Sequence, residues 1–204
     1  MSPRPPIDHI RKPQILRAAA EVITERGLAR TRVIDVAERA GTSAPAILYW
    51  FDSRERLLSE ALVADEDAFA EQLDAELAAL PSPSARLLRL IDASTREWDL
   101  SLWIELWARS LHDVSAAAER QRLDDVWRAR IATVVADGQR TGEFTIAIDP
   151  ADAALRLATM IDGFSVQLTL GDPGIDAQRS REICLEFAEL QLGADLSAAG
   201  AASR

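Results

Sequence analysis

The chain has 204 residues, 48% of them hydrophobic, with one cysteine and a formal net charge of −10. A single cysteine excludes an internal disulfide and suits a reducing compartment, the cytoplasm, and no apolar run is long enough to cross a membrane. The acidity argues against a polyanionic partner until its distribution is read: residues 1–60 hold ten Arg/Lys against eight Asp/Glu, so the acidic excess lies in the remainder.

Residues 1–12 read as a flexible basic arm, with Pro3, Pro5 and Pro6 opposing helix and Arg4, Arg11 and Lys12 supplying charge. A first helix is expected over 13–26, with Ile15, Leu16, Ala19, Val22 and Ile23 facing inward and Gly27 ending it. Thr31 is the expected cap of a second helix whose apolar stripe is Val33, Ile34, Val36, Ala37 and Ala40. Gly41 falls where the chain must take a positive φ. Ser43 caps a third helix, Ala44 to Trp50, with Pro45 in its first turn. At about two turns that helix cannot stand alone, so its neighbours must hold it and its outer face is free. Two short helices about a glycine turn form the helix-turn-helix pattern, in which the second helix enters the major groove of DNA. Thr42, Ser43, Ala44, Pro45 and Ala46 are then expected at base edges, with Ala44 and Ala46 suited to thymine methyls. Tyr49, Trp50 and Arg54 are expected nearer the backbone, and Thr31 and Arg32 at phosphate.

The spacing is closer than the general motif. Ala37, Gly41, Ser43, Tyr49, Phe51, Ser53, Arg54 and Leu57-Leu58 follow Ile15-Leu16, Ala18-Ala19, Glu25 and Gly27. Over residues 11–60 this order resembles the DNA-binding domain of the TetR family of transcriptional regulators, with Arg54 where that family often has lysine.

From Ser53 the pattern predicts one long helix, through Leu57, Leu58, Ala61, Leu62, Phe69, Leu73 and Leu77, ended by Pro81-Ser82-Pro83. Five more helices are expected over 84–98, 101–112, 117–140, 150–170 and 176–192, with a frayed tail over 194–204. The fold class is therefore all-α, about nine helices: a helix-turn-helix head over 13–58 and a helical body over 59–193. In the body, Leu102 to Ala108, Trp127-Arg128, Gly142-Glu143-Phe144 and Asp162-Gly163-Phe164 with Gln167 resemble the C-terminal domain of the BetI-like branch of the same family. That resemblance implies a sensor domain that dimerises. The dimer interface is expected on the last two helices, at Ala154, Leu155, Ala158, Ile161 and Ser165 and at Ile183, Cys184, Phe187, Leu190 and Gln191.

His9 and His112 are the only histidines and stand far apart, so no metal site is expected. No phosphate loop or nucleophile–base set has supporting spacing, which points away from an enzyme or a cofactor. The acidic neighbours Asp124-Asp125 and Glu97/Asp99 read as a solvated face. Four tryptophans in thirty residues, Trp98, Trp103, Trp107 and Trp127, either fill the core or line a cavity. Trp103, Trp107, Trp127, Met160 and Phe164, with the carboxylates of Glu105 and Asp162, are the expected effector site, and indoles with carboxylates suit an organic cation. The whole reads as a dimeric repressor that binds a palindromic double-stranded DNA operator and is released by a small-molecule effector. An activator, or a helical scaffold without an inducer, is the alternative.

Overall fold

The computed structural model describes residues 8–96 and 101–196, and among them nine α-helices, one 3-10 turn and no strand. In order these are α1 (Asp8–Arg26), the turn η1 (Leu28–Arg30), α2 (Val33–Arg39), α3 (Ala44–Phe51) and α4 (Arg54–Ala79). There follow α5 (Pro83–Arg96), α6 (Ser101–Ser110), α7 (Val114–Thr141), α8 (Pro150–Leu170) and α9 (Ala177–Leu192). No described helix is long and apolar enough to span a membrane. The arm residues 1–7, the tail from 197, Glu97, Trp98, Asp99 and the side chain of Glu105 lie outside the described residues.

Two compact units form, one within Met1–Glu71 and Ser101–Glu119, the other within Gln72–Leu100 and Arg120–Arg204. By contacts, α6 and the start of α7 belong with the helices of the expected head, across the division expected at residue 58. Two polar links explain why. The Trp103 indole N–H donates to Glu66 of α4 at 2.6 Å, and Arg109 donates to the Glu55 carbonyl of α4 at 2.8 Å.

The first unit is built around Ile15, Ala19 and Val22 of α1, Val36 and Ala37 of α2, Ile47 and Phe51 of α3, and Leu57, Leu58 and Ala61 of α4. Each helix offers its apolar stripe to this one core. α1 starts at Asp8, five residues before the expected Pro13, so residues 8–12 are helical rather than part of the arm. A proline in an early turn costs one N–H bond and is tolerated when the rest of the helix is anchored, here by Ile15, Ala18, Ala19 and Val22. Lys12 does not reach outward either. It pairs with Glu60 at 2.6 Å and lies over the Phe51 ring.

In the second unit α5, α8 and α9 pack on one another. Leu87, Leu90, Ile91, Leu157, Ile161, Cys184 and Ala188 fill the space between them. The Ser165 hydroxyl donates to the Ser94 carbonyl, and Arg181 pairs with Asp92. Five of the residues expected at a dimer interface, Ala154, Ala158, Ile161, Ser165 and Cys184, are thus interior to the protomer. Small residues let α8 and α9 approach each other and α5, and burial pushes the Cys184 thiol up to about 11. Glu143, from the Gly-Glu-Phe motif, caps the start of α5 by accepting from the Ser84 N–H and hydroxyl at 3.0 and 2.7 Å. Phe144 beside it packs its ring against Gly138 of α7, where an added Cβ would stand 2.1 Å from the ring. Gly138→Ala is therefore expected to lower stability by about 1–3 kcal/mol through overpacking. Urea unfolding of the two proteins measures it, and an unchanged midpoint would mean the ring moves aside at no cost.

Candidate nucleic-acid interface and effector site

α2 and α3 owe their geometry to local chemistry. At the end of α2, Gly41 takes φ 63°. Its N–H donates to Glu38, and the Thr42 N–H donates to Ala37 at 2.9 Å, closing the two bonds of a Schellman turn. Ser43 then caps α3, its hydroxyl accepting from the Ala46 N–H at 3.3 Å, with Pro45 in the first turn. Ile47 and Phe51 anchor α3 in the core, which leaves Ser43, Pro45, Leu48 and Tyr49 on the outer face. Tyr49 is 81% exposed and meets Trp50 edge-on at 5.9 Å. Thr42, Ala44, Ala46 and Trp50 are half-buried.

The start of α2 differs from expectation. Arg32, not Thr31, is the cap, and Thr31 is 1% exposed with its hydroxyl donating to the Gly27 carbonyl. The turn η1 folds Thr31 inward, so it cannot meet phosphate. Arg32 faces out, its side chain 71% exposed. Buried Asp35 holds it, accepting from the Arg32 N–H and from its guanidinium at 3.0 and 2.9 Å, while Arg26 reaches the same carboxylate at 2.9 Å. The Arg32 hydrogen bond first, then the backbone bond and the two positive charges, hold the Asp35 pKa down at about 2. Arg32 is therefore a cation pre-oriented at a helix N-terminus. The Nε of Arg54 donates to the Thr31 carbonyl at 2.8 Å, so this side chain fastens α4 to the start of α2.

Other basic side chains of the head answer its own acids: Arg39 pairs with Glu21 and Glu25, and Arg56 with Asp52 and Glu60. Arg30 is exposed beside Arg32, its Nε donating to the Arg26 carbonyl. Sequence reasoning missed it, because nothing in the pattern signalled the turn that presents it.

The expected effector residues fall in both units. In the first, Trp103 is buried and Trp107 half-buried, with ring centroids 6.0 Å apart, as a four-residue spacing requires. In the second, Trp127, Met160 and Phe164 are half-buried. Asp162 does not share a helix face with Met160 and Phe164. At 3.6 residues per turn it stands about 160° from each around α8. Asp162 is exposed at its edge on the surface of α8, but the side chains packed around its carboxyl desolvate it. This first, then the nearby charge of Asp124, with Arg128 opposing, pushes its pKa up to about 6. Desolvation also raises Asp124, which pairs with Arg120. The charges of Asp124 and Arg128 on α7 thus act on Asp162 of α8, with Trp127 next to Arg128 in the chain. Among the described residues no three His, Cys, Asp or Glu side chains gather as a metal site requires.

Residues 15–61 match the bacterial regulatory proteins of the tetR family, and residues 83–193 match the BetI-type transcriptional repressor C-terminal domain. The HTH-type transcriptional regulator BetI of Burkholderia ambifaria is 28% identical over 203 residues, 95% of this chain and 100% of that protein. BetI 1 of Chromohalobacter salexigens is 28% identical over 92% of this chain and 93% of that protein. Among solved structures, a transcriptional regulator from Saccharomonospora viridis in complex with choline is 28% identical, with a TM-score of 0.77. The match covers 89% of this chain and 97% of that one.

Proposed function

The chain belongs to the TetR family of transcriptional regulators, with a BetI-type repressor C-terminal domain, and from that premise we propose a homodimeric cytoplasmic repressor whose effector is a small organic cation. The observation that carries the DNA half of this reading is α3, anchored by Ile47 and Phe51 beneath an exposed Ser43, Pro45, Leu48 and Tyr49. None of these outer side chains is a bidentate hydrogen bonder, so thymine methyls and groove shape are what the helix reads. Thr42, Ala44 and Ala46 approach base edges from the same turn, Tyr49 and Trp50 lie toward the sugar-phosphate, and Arg32 and Arg30 meet phosphate.

Two copies associate through the outer faces of α8 and α9. Leu155 on α8 and Leu190 on α9 are exposed apolar side chains, and Ile183 and Phe187 flank the latter. A symmetric four-helix contact covers them and sets two heads on one palindrome. The cationic effector is supported by two things: the structural relative bound to choline, and the charge of Asp124 acting on a desolvated Asp162, on helices that also carry Trp127 and Phe164. The effector releases DNA because it binds the arrangement of heads that does not fit the operator more tightly than the one that does.

The direct test is selection from a random DNA pool by the wild-type protein, which should return an inverted repeat, followed by release of that duplex on adding choline. With the selected duplex, Arg32→Ala is expected to weaken binding to all sequences alike and to flatten the dependence of log affinity on log salt by about 0.9 per lost contact and half-site. A change in sequence preference at unchanged salt dependence would instead put Arg32 at a base.

A further inference from the structure

We propose that Arg109, on α6, is a positioning residue for DNA binding, one that sets the tilt of α3 without touching DNA; this rests on the reading of α3 as the helix in the groove. Its guanidinium has three partners. One edge donates to the Glu55 carbonyl at 2.8 Å and to the Ser59 hydroxyl, while the other donates to Asp113 at 2.6 Å. The planar fork is thereby clamped between the first turns of α4 and the corner that joins α6 to α7.

What lies around this clamp makes it matter. A cleft of about 660 Å³ opens beside it, lined in part by Lys12, Ser59, Glu60, Arg109, Asp113 and Glu119. Close-packed apolar side chains do not fill this place, so the corner reaches the start of α4 through charge-assisted hydrogen bonds. The start of α4 in turn sets α3. Only Asp52 and Ser53 separate the two helices, and Asp52 holds φ at 59°, the sole positive value of a non-glycine residue among those described. A linker that short and that constrained passes a shift of α4 to α3 instead of absorbing it. The next side chain, Arg54, fastens α4 to the Thr31 carbonyl, immediately before the outward-facing Arg32. A polar path therefore runs from Asp113 through Arg109 to the start of α4, from which the two-residue linker leads to the reading helix and Arg54 to the residue before the phosphate-facing cation, and every residue on it belongs to the first compact unit. The link of Trp103 to Glu66 holds α6 to α4 independently, so losing Arg109 loosens the corner without detaching the helix.

The test uses full-length protein, a duplex selected from a random pool by the wild type, and a temperature far below unfolding. Arg109→Met should weaken binding roughly three- to thirtyfold at unchanged salt dependence. Arg109→Lys, able to keep Asp113 and one acceptor, should recover part of the loss. Ser59→Ala should lose less, and the double variant Arg109→Met/Ser59→Ala should be no weaker than Arg109→Met alone. Undiminished affinity in Arg109→Met overturns the proposal, as does a salt dependence flattened by about one ion, which would place Arg109 on a phosphate. Should Arg109→Met fail to fold, an unchanged affinity in Ser59→Ala overturns it. A wild-type protein that selects no sequence at all would remove the DNA reading itself, a result distinct from each of these.

Discussion

Leu190→Asp is expected to yield a folded monomer that no longer holds its operator. Leu190 is 80% exposed on α9, so a carboxylate there meets water in the isolated chain and costs the fold almost nothing. In a dimer sealed by α8 and α9 the same carboxylate would be buried twice about the two-fold axis, without a partner, at a penalty no interface of this kind can absorb. A single head is too weakly charged to bind alone: its surplus over residues 1–60 is two, and several of its cations are paired internally. Loss of the dimer should therefore lower operator affinity to that of one half-site. DNA geometry gives a matching result from the other side. Five base pairs inserted between the half-sites turn one of them about half a helical turn away and should abolish binding by the unaltered protein. Light scattering and gel retardation read the two effects. A Leu190→Asp protein that stays dimeric at micromolar concentration moves the interface off α9, and a duplex that tolerates the insertion means that the heads act separately.

How much of this was legible in the sequence depended on how local the cause was. Gly41, Ser43 and Pro45 act within one turn of their own positions, and the chain there folds as their types require. The arrangement at Thr31 was not legible, because a threonine before a helix offers its hydroxyl equally well to the helix or to a carbonyl behind it. The unforeseen turn at Leu28–Arg30 brought the Gly27 carbonyl within reach and decided the matter. On α8 and α9 the apolar residues were plain, but which of them face another copy was not. Ala154 and Leu155 are neighbours in the chain, and only the packing of α5 shows that the first is interior and the second exposed. The charge of Asp162 suits it to an organic cation, but a two-residue spacing on a helix points it away from Met160 and Phe164, which the charge alone does not report. The tie of α6 to the head rests on Arg109 and Trp103, whose partners lie on α4 far back along the chain, and no periodicity reports such a contact.

Affinity for choline is expected to fall about tenfold between pH 7.5 and pH 5, and Asp162→Asn should remove both that dependence and most of the affinity. The sign follows from the direction of the shift. Desolvation by its neighbours, and after it the charge of Asp124, push the Asp162 pKa up to about 6 from 3.8, so the group is ionised at pH 7.5 and mostly protonated at pH 5. A quaternary ammonium is attracted only by the ionised form, and binding below pH 6 must therefore pull a proton off. The same raised pKa means that Asp162 favours the folded state below about pH 4 and that this contribution is lost as pH rises through 6, an imbalance a bound cation offsets. Choline should consequently raise the melting temperature more at pH 7.5 than at pH 5. Two controls separate Asp162 from its surroundings. The uncharged carbon analogue of choline, with a tert-butyl group for the trimethylammonium, should bind weakly and without pH dependence. Asp124→Asn, by removing the nearby charge that helps to raise Asp162, should move the midpoint of the dependence to lower pH. Calorimetric titration in buffers of differing ionisation heat counts the proton directly. Choline affinity that stays level from pH 7.5 to pH 5 would take Asp162 out of the site. A dependence that survives in Asp162→Asn but vanishes in Asp124→Asn would assign the cation to α7 instead of α8.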